Sequence, residues 1–347
     1  MRIARRSMLA GAGAAATLPR FAIAQSMPEL NTIRSTAKSW LWLAEDYGNA
    51  GGFFTKAGVK VISTASNRGT NVAALAGSGV DIVLGDPGEV MSALKENFGA
   101  RSFVQTVRSY ASNVVLRKDI LDKAGVTEAS PVAAKIAVLK GKNLGTTGPG
   151  AAPDSLFRWL AVKGGMDPNK DMRLVPIQGG GPGMIAGLQQ NVIDGFCLSS
   201  PTSDLAVTKA GCAYLFNNAT NAPPELTPYC YIIATTSDRG LREKREALTR
   251  YTMGIALTLR SISAEPDKFK AFAVPFLELD PSIAEPAFDA NSKIYFPDPM
   301  PSADLFKRNV EFINLVYGTQ SEPPVPASVT FDKMYDVTVV QDALKRL

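Results

Sequence analysis

Alternation between short apolar runs and longer amphipathic ones constrains this chain more than any other feature. From Leu30 onward, strand-like and helix-like stretches follow one another over residues 30–36, 39–54, 59–64, 69–76 and 80–85. This order predicts an α/β fold, with a mainly parallel sheet covered by helices. In such sheets, ligands meet the loops at the C-terminal ends of the strands. Here those loops are Lys38-Ser39-Trp40, Ser66-Asn67-Arg68-Gly69-Thr70 and Gly85-Asp86-Pro87-Gly88, each rich in polar or glycine residues. Arg68, beside a helix start, is placed either to clamp a carboxylate or sulfonate or to stand solvated at the surface. Trp40 and Trp42 point to different faces of a helix; Trp40, nearer the strand end, is the better candidate to stack on a ligand, and Trp42 to pack in the core.

Further along, a strand pattern ends at Leu144 and an amphipathic run begins at Ser155, and between them lies Gly145-Thr146-Thr147-Gly148-Pro149-Gly150-Ala151-Ala152-Pro153-Asp154. A tight glycine turn leading into a helix points backbone N–H groups at one spot, with the positive helix end behind them. Such a turn either binds an anion or polar oxygen, or only redirects the chain. Residues 178–183, Gln-Gly-Gly-Gly-Pro-Gly, form a second glycine turn between a strand and a helix. No Lys-Ser/Thr follows it, so it is not a mononucleotide phosphate loop. It serves either ligand contact or close packing of helix on strand.

A weak internal repeat links residues 69–87 with 181–201. In both, a helix stops at Gly or Asn, and an acid, Asp81 or Asp194, then opens a strand that ends before a proline. The repeat implies two similar lobes. Beyond Tyr231 the chain reads as mostly helical, with one apolar stripe through Leu248, Tyr251, Ile255 and Leu259 and another through Phe306, Val310, Ile313 and Val316. These helices are expected to cover the first lobe, so that the chain crosses between lobes twice.

The composition excludes several classes of function. Histidine is absent, which removes the commonest general base, the commonest zinc ligand and the middle member of a Ser–His–Asp triad. No catalytic residue, metal or cofactor is expected. Much of the formal net charge of +5 comes from Arg2, Arg5, Arg6 and Arg20, so a nucleic-acid partner has little electrostatic support. Cys197, Cys212 and Cys230 lack C-x-x-C spacing; Cys212 and Cys230 are available to pair in an exported protein, and the question stays open. Arg5-Arg6, a short weakly apolar core and Ala22-Ile23-Ala24 read as a twin-arginine export signal over residues 1–24, cleaved after Ala24.

The order Trp42-Leu-Ala-Glu45, Gly51-Gly-Phe-Phe-Thr-Lys-Ala-Gly58, Asn67-Arg-Gly-Thr70, Ala74 through Asp81, Leu139 through Ala152, and Ile193-Asp194 resembles the periplasmic substrate-binding proteins of ABC importers. Within them it is most similar to the branch for taurine, aliphatic sulfonates, nitrate and thiamine-pyrimidine precursors. The resemblance implies a type II binding-protein fold: two α/β lobes joined by two linking strands, with lobe one over 25–112 plus 231–347 and lobe two over 113–230. It implies a monomer in the periplasm, hinging near 112–115 and 229–232 around a small, anionic solute and docking on an inner-membrane permease. Ligand contacts carried over from the family fall on Trp40, Asn67, Arg68, Gly69, Thr70, Asp86, Thr147, Gly148, Gly150, Ala151, Gly180 and Gly181. Asp86 departs from an anion-binding pattern, because it would repel a sulfonate unless Arg68 offsets it or the carboxylate caps the following helix. An enzyme on the same fold, working through Asp86, Glu89 or Lys38, and a periplasmic sensor subunit are the alternatives.

Overall fold

The computed structural model describes residues 27–66, 71–77, 79–319 and 325–347. The export-signal reading and the 67–70 loop lie outside them. Ten strands form two five-stranded sheets. In chain order they are β1 (Glu29–Arg34), β2 (Lys60–Ala65), β3 (Ile82–Gly85), β4 (Ala100–Val107), β5 (Asn113–Arg117), β6 (Asn143–Thr146), β7 (Arg173–Pro176), β8 (Gly195–Leu198), β9 (Cys212–Phe216) and β10 (Ile232–Ser237). The sheet orders are β2-β1-β3-β10-β4 and β7-β6-β8-β5-β9.

Both sheets follow one plan. Three strands run parallel, and the fourth, β10 or β5, lies antiparallel to its neighbour on either side. Those two strands bring the chain across: β5 begins the second sheet directly after β4, and β10 returns to the first after β9. The sheets are therefore less uniformly parallel than the alternation predicts, because each contains one strand delivered from the other lobe.

The repeat has a physical basis. Asp81 donates its backbone N–H to the Asn31 carbonyl at 2.8 Å, and its Oδ2 accepts the Asn31 N–H at 2.9 Å. Asp194 does the same for Asn143, whose N–H reaches its Oδ2 at 2.8 Å. Each acid thus receives the start of the neighbouring parallel strand, β1 or β6. Asp194→Ala leaves that N–H without its side-chain partner, and urea unfolding is expected to show a loss of about 1–2 kcal/mol.

Helix Arg245–Ala264 packs on helices Leu43–Ala50, Phe53–Ala57 and Val337–Leu344 over the first sheet, as its apolar stripe predicts. Helix Ala303–Thr319 departs from the expected pattern. It touches helix Pro87–Lys95 beside the first sheet and also lies along helix Ala152–Lys163 beside the second, with Phe312 stacked on Trp159 at 5.9 Å between ring centroids. The cover on this side bridges the lobes. Cys197, Cys212 and Cys230 are all buried free thiols, which closes the question of a disulfide.

Candidate functional site

The strand ends of the two sheets meet around a cavity of about 40 Å³. The first sheet and its loops supply Ser35, Trp42, Gly85, Asp86 and Glu89, the second supplies Thr147 and Leu198, and the links supply Ser112 and Tyr231. Beside it, sharing Leu198, lies a groove of about 660 Å³. Its walls are the loop after β1, from Thr36 to Ser39, and the second glycine turn, Gly179 to Pro182, with Ile185, Leu205 and Leu277 making it largely apolar. A third hollow, about 640 Å³, is lined by Pro28, Glu29 and Gly58 at the starts of β1 and β2. That is the end of a parallel sheet where ligands do not collect.

The lobes touch between cavity and groove. Ser39 Oγ and Ser199 Oγ are 2.7 Å apart and buried, and the Trp40 N–H reaches the Ser200 carbonyl at 3.4 Å. Ser39 also caps the short 3-10 turn Trp40–Trp42 by accepting the Leu41 N–H. The two links run side by side. Tyr229 and Tyr231 donate N–H groups to Arg108 and Val107, and Ser112 Oγ lies 2.6 Å from Tyr231 Oη.

The helix after β3 explains the acids. Asp86 caps helix Pro87–Lys95, its Oδ1 accepting the Gly88 N–H at 2.8 Å, with Pro87 in the first turn. Capping and facing the cavity prove compatible, since the helix starts at the cleft. One turn on, Glu89 Oε2 accepts the Asn71 N–H at 2.8 Å. Burial pushes Asp86 up to about 6. Burial, and then the charge of Asp86, holds Glu89 well above the usual carboxylate range. Capping-box spacing, an acid three residues after the cap, was the available signal for Glu89.

The remaining expected residues divide sharply. Thr147 lines the cavity, and Gly180 and Gly181 line the groove. Gly148, Gly150 and Ala151 line neither. Gly148 and Gly150 hold φ of 144° and 76°, so their glycines serve the turn itself. The N–H of Gly150 points to Asp154 Oδ2 at 3.3 Å, and Arg158 Nε meets the same oxygen at 2.8 Å. An internal carboxylate thus already occupies part of the N–H cluster read as an anion site. Gly181 has a packing role too, because a Cβ there would fall 2.4 Å from Thr202 Oγ1.

Trp40 is corrected. It is fully buried against Phe269 and Phe288, with ring centroids at 6.2 and 6.0 Å, and cannot stack on a ligand in the cleft. Trp42 lines the cavity instead, with its Nε1 donating to Thr36 Oγ1 at 2.9 Å. Asn67, Arg68, Gly69 and Thr70 lie outside the described residues. Among the described residues, no cluster of three or more acids and cysteines is arranged to hold a metal. No helix among them is long and apolar enough to cross a membrane.

The sequence matches the NMT1-like family over residues 47–267, well over half of the chain. The chain belongs to the NMT1-like family. No curated protein matches it by sequence. Among solved structures, a Bordetella bronchiseptica protein superposes with a TM-score of 0.76 at 19% identity, covering 92% of this chain and 97% of its own. The alkanesulfonate-binding protein SsuA from Xanthomonas axonopodis pv. citri, bound to MOPS, gives 0.66 at 14% identity, covering 86% and 95%. The periplasmic nitrate-binding protein NrtA from Synechocystis PCC 6803 gives 0.65 at 14% identity, covering 93% and 89%. This member of the NMT1-like family therefore has the two-lobed periplasmic binding protein fold.

Proposed function

We propose that this protein captures a small solute between its lobes in the periplasm and hands it, as a closed monomer, to an ABC permease in the inner membrane. The observation that carries this reading is the cavity at the strand ends, walled by both sheets and by both links. A ligand that touches both walls favours the closed arrangement through those contacts, and the paired links are where the chain bends. The similar structures solved with or for sulfonate and nitrate support the class of activity. The anionic solute that the resemblance implies finds less support, since the described cavity wall offers carboxyls and the first glycine turn is partly filled by Asp154.

A thermal-shift screen of the chain from Gln25 onward tests the reading, using sulfonates, nitrate, carboxylates, amines and pyrimidines. Binding to the native state alone adds about 2.7 kcal/mol of stability at a hundredfold excess over Kd, which a melting scan resolves. A compound that stabilises the protein and is recovered chemically unchanged after long incubation supports capture. Conversion of the compound would replace capture with catalysis on the same fold.

A further inference from the structure

The cavity wall contains two acids, Glu89 buried and Asp86 half-buried, with no counter-ion among the described residues. Asp86 and Glu89 both face it, and no lysine or arginine among the described residues does. Arg34, the buried cation at the end of β1, is held by Asp46 at 2.7 Å and lies 3.8 Å from Glu45. Each cavity acid has one oxygen engaged by a backbone N–H, from Gly88 or Asn71. Its second oxygen takes no side-chain donor among the described residues. Around these acids the wall carries Leu41, Leu84, Leu198 and Ile232 together with four hydroxyl residues, Ser35, Thr147 and the paired Ser112 and Tyr231.

Two carboxyls in one small enclosure are poorly placed to ionise together. An anion entering there adds a like charge where water screens little. A nitrogen cation does the reverse: its N–H groups donate to the carboxyl oxygens in charge-assisted hydrogen bonds. The adjoining groove, which shares Leu198 with the cavity wall and is faced by Ile185, Leu205 and Leu277, suits an apolar body. Building on the solute-capture reading, we propose that the captured solute is an organic nitrogen cation, whose ammonium or amidinium head is held by Asp86 and Glu89 and whose apolar part lies in the groove.

The proposal fixes the sign of a proton linkage. Before binding, burial holds Asp86 near 6 and Glu89 well above the usual carboxylate range, so the pair retains protons at mildly acidic pH. A bound cation favours the ionised carboxylates and expels protons, so affinity rises with pH. The other titratable groups around the pair are Tyr110, Tyr229, Tyr231 and Cys197. Burial raises all four far above their ordinary values, so they stay neutral from pH 5 to 8.

The test is calorimetry on the whole mature chain with benzylammonium and benzamidinium against matched benzoate and benzenesulfonate, in two buffers of different ionisation enthalpy. Expected are cation binding with net proton release and affinity about fourfold or more higher at pH 7.5 than at 5.5, as for one group titrating near 6. Glu89→Gln and Asp86→Asn, each checked for an unchanged circular dichroism spectrum, should weaken the cations. Proton release is read on the unaltered protein, so the outcome does not depend on either variant folding. Anion binding with proton uptake, lost in Arg68→Ala, would overturn the cation assignment and leave solute capture standing. Silence from all four probes would overturn the cation assignment and count against capture in this cavity as well.

Discussion

Replacing Arg34 by methionine is expected to cost about 3–5 kcal/mol in urea unfolding at neutral pH, because it strands buried acids without their cation. Arg34 closes β1 on its buried face at 6% exposure, donating to Asp46 Oδ1 at 2.7 Å and to the Ala37 carbonyl at 2.9 Å. Glu45, 1% exposed, accepts hydroxyls from Thr32, Ser63 and Tyr251, which leaves its charge dependent on the nearby guanidinium. Burial already pushes Asp46 up to about 6, against the lowering effect of Arg34. Without Arg34 that value climbs further. An acid whose folded-state pKa is raised stabilises the protein at low pH and loses that contribution as pH rises through the folded value. The deficit of Arg34→Met should therefore be smaller at pH 5 than at pH 8. An equal deficit at both values, or one under about 1 kcal/mol, would mean that water reaches these acids.

Phe54→Ala is expected to cost a similar amount, about 3–5 kcal/mol. The ring is 1% exposed, stacks on Tyr251 at 5.2 Å and 17°, and sits directly over two helix glycines. A Cβ on Gly48 would come within 2.6 Å of it, and one on Gly254 within 2.3 Å. Gly254→Ala alone should thus destabilise by about 1–3 kcal/mol through overpacking, although alanine is the better helix former. In the Phe54→Ala background the same change fills part of the cavity left behind, and its cost should vanish or reverse. A double-mutant cycle followed by chemical denaturation measures this coupling. Simple additivity of the two changes would show that the ring and the glycine are not in contact.

Much of the architecture was legible because it rests on local signals. The alternation of runs indicated an α/β fold, and the acids Asp81 and Asp194 marked two equivalent strand starts, each bonded to an asparagine, Asn31 or Asn143, of the neighbouring parallel strand. What escaped depends on distant partners. Trp40 and Trp42 exchanged roles because the turn they occupy is 3-10 and its phase is set by Ser39. The apolar pocket that receives Trp40 is built by Phe269 and Phe288, more than two hundred residues away. The glycines at 148 and 150 suggested an open anion cradle, but a helical acid four residues on from Gly150 takes one of its N–H groups. Glu89 stood only as an alternative, since facing a cavity rather than solvent is decided by the second lobe.

The bridging helix Ala303–Thr319 gives the three tryptophans separate environments. Trp159 stacks on Phe312 across the lobes, Trp42 borders the cavity, and Trp40 lies in the aromatic interior. On the proposed opening the first pair would separate and the second indole would meet water, while the Trp40 ring would keep its packing on Phe269 and Phe288. Under that reading the protein would carry its own optical gauge of lobe separation, with one emitter on the seam between the sheets, one at the cavity and one in the interior as internal standard.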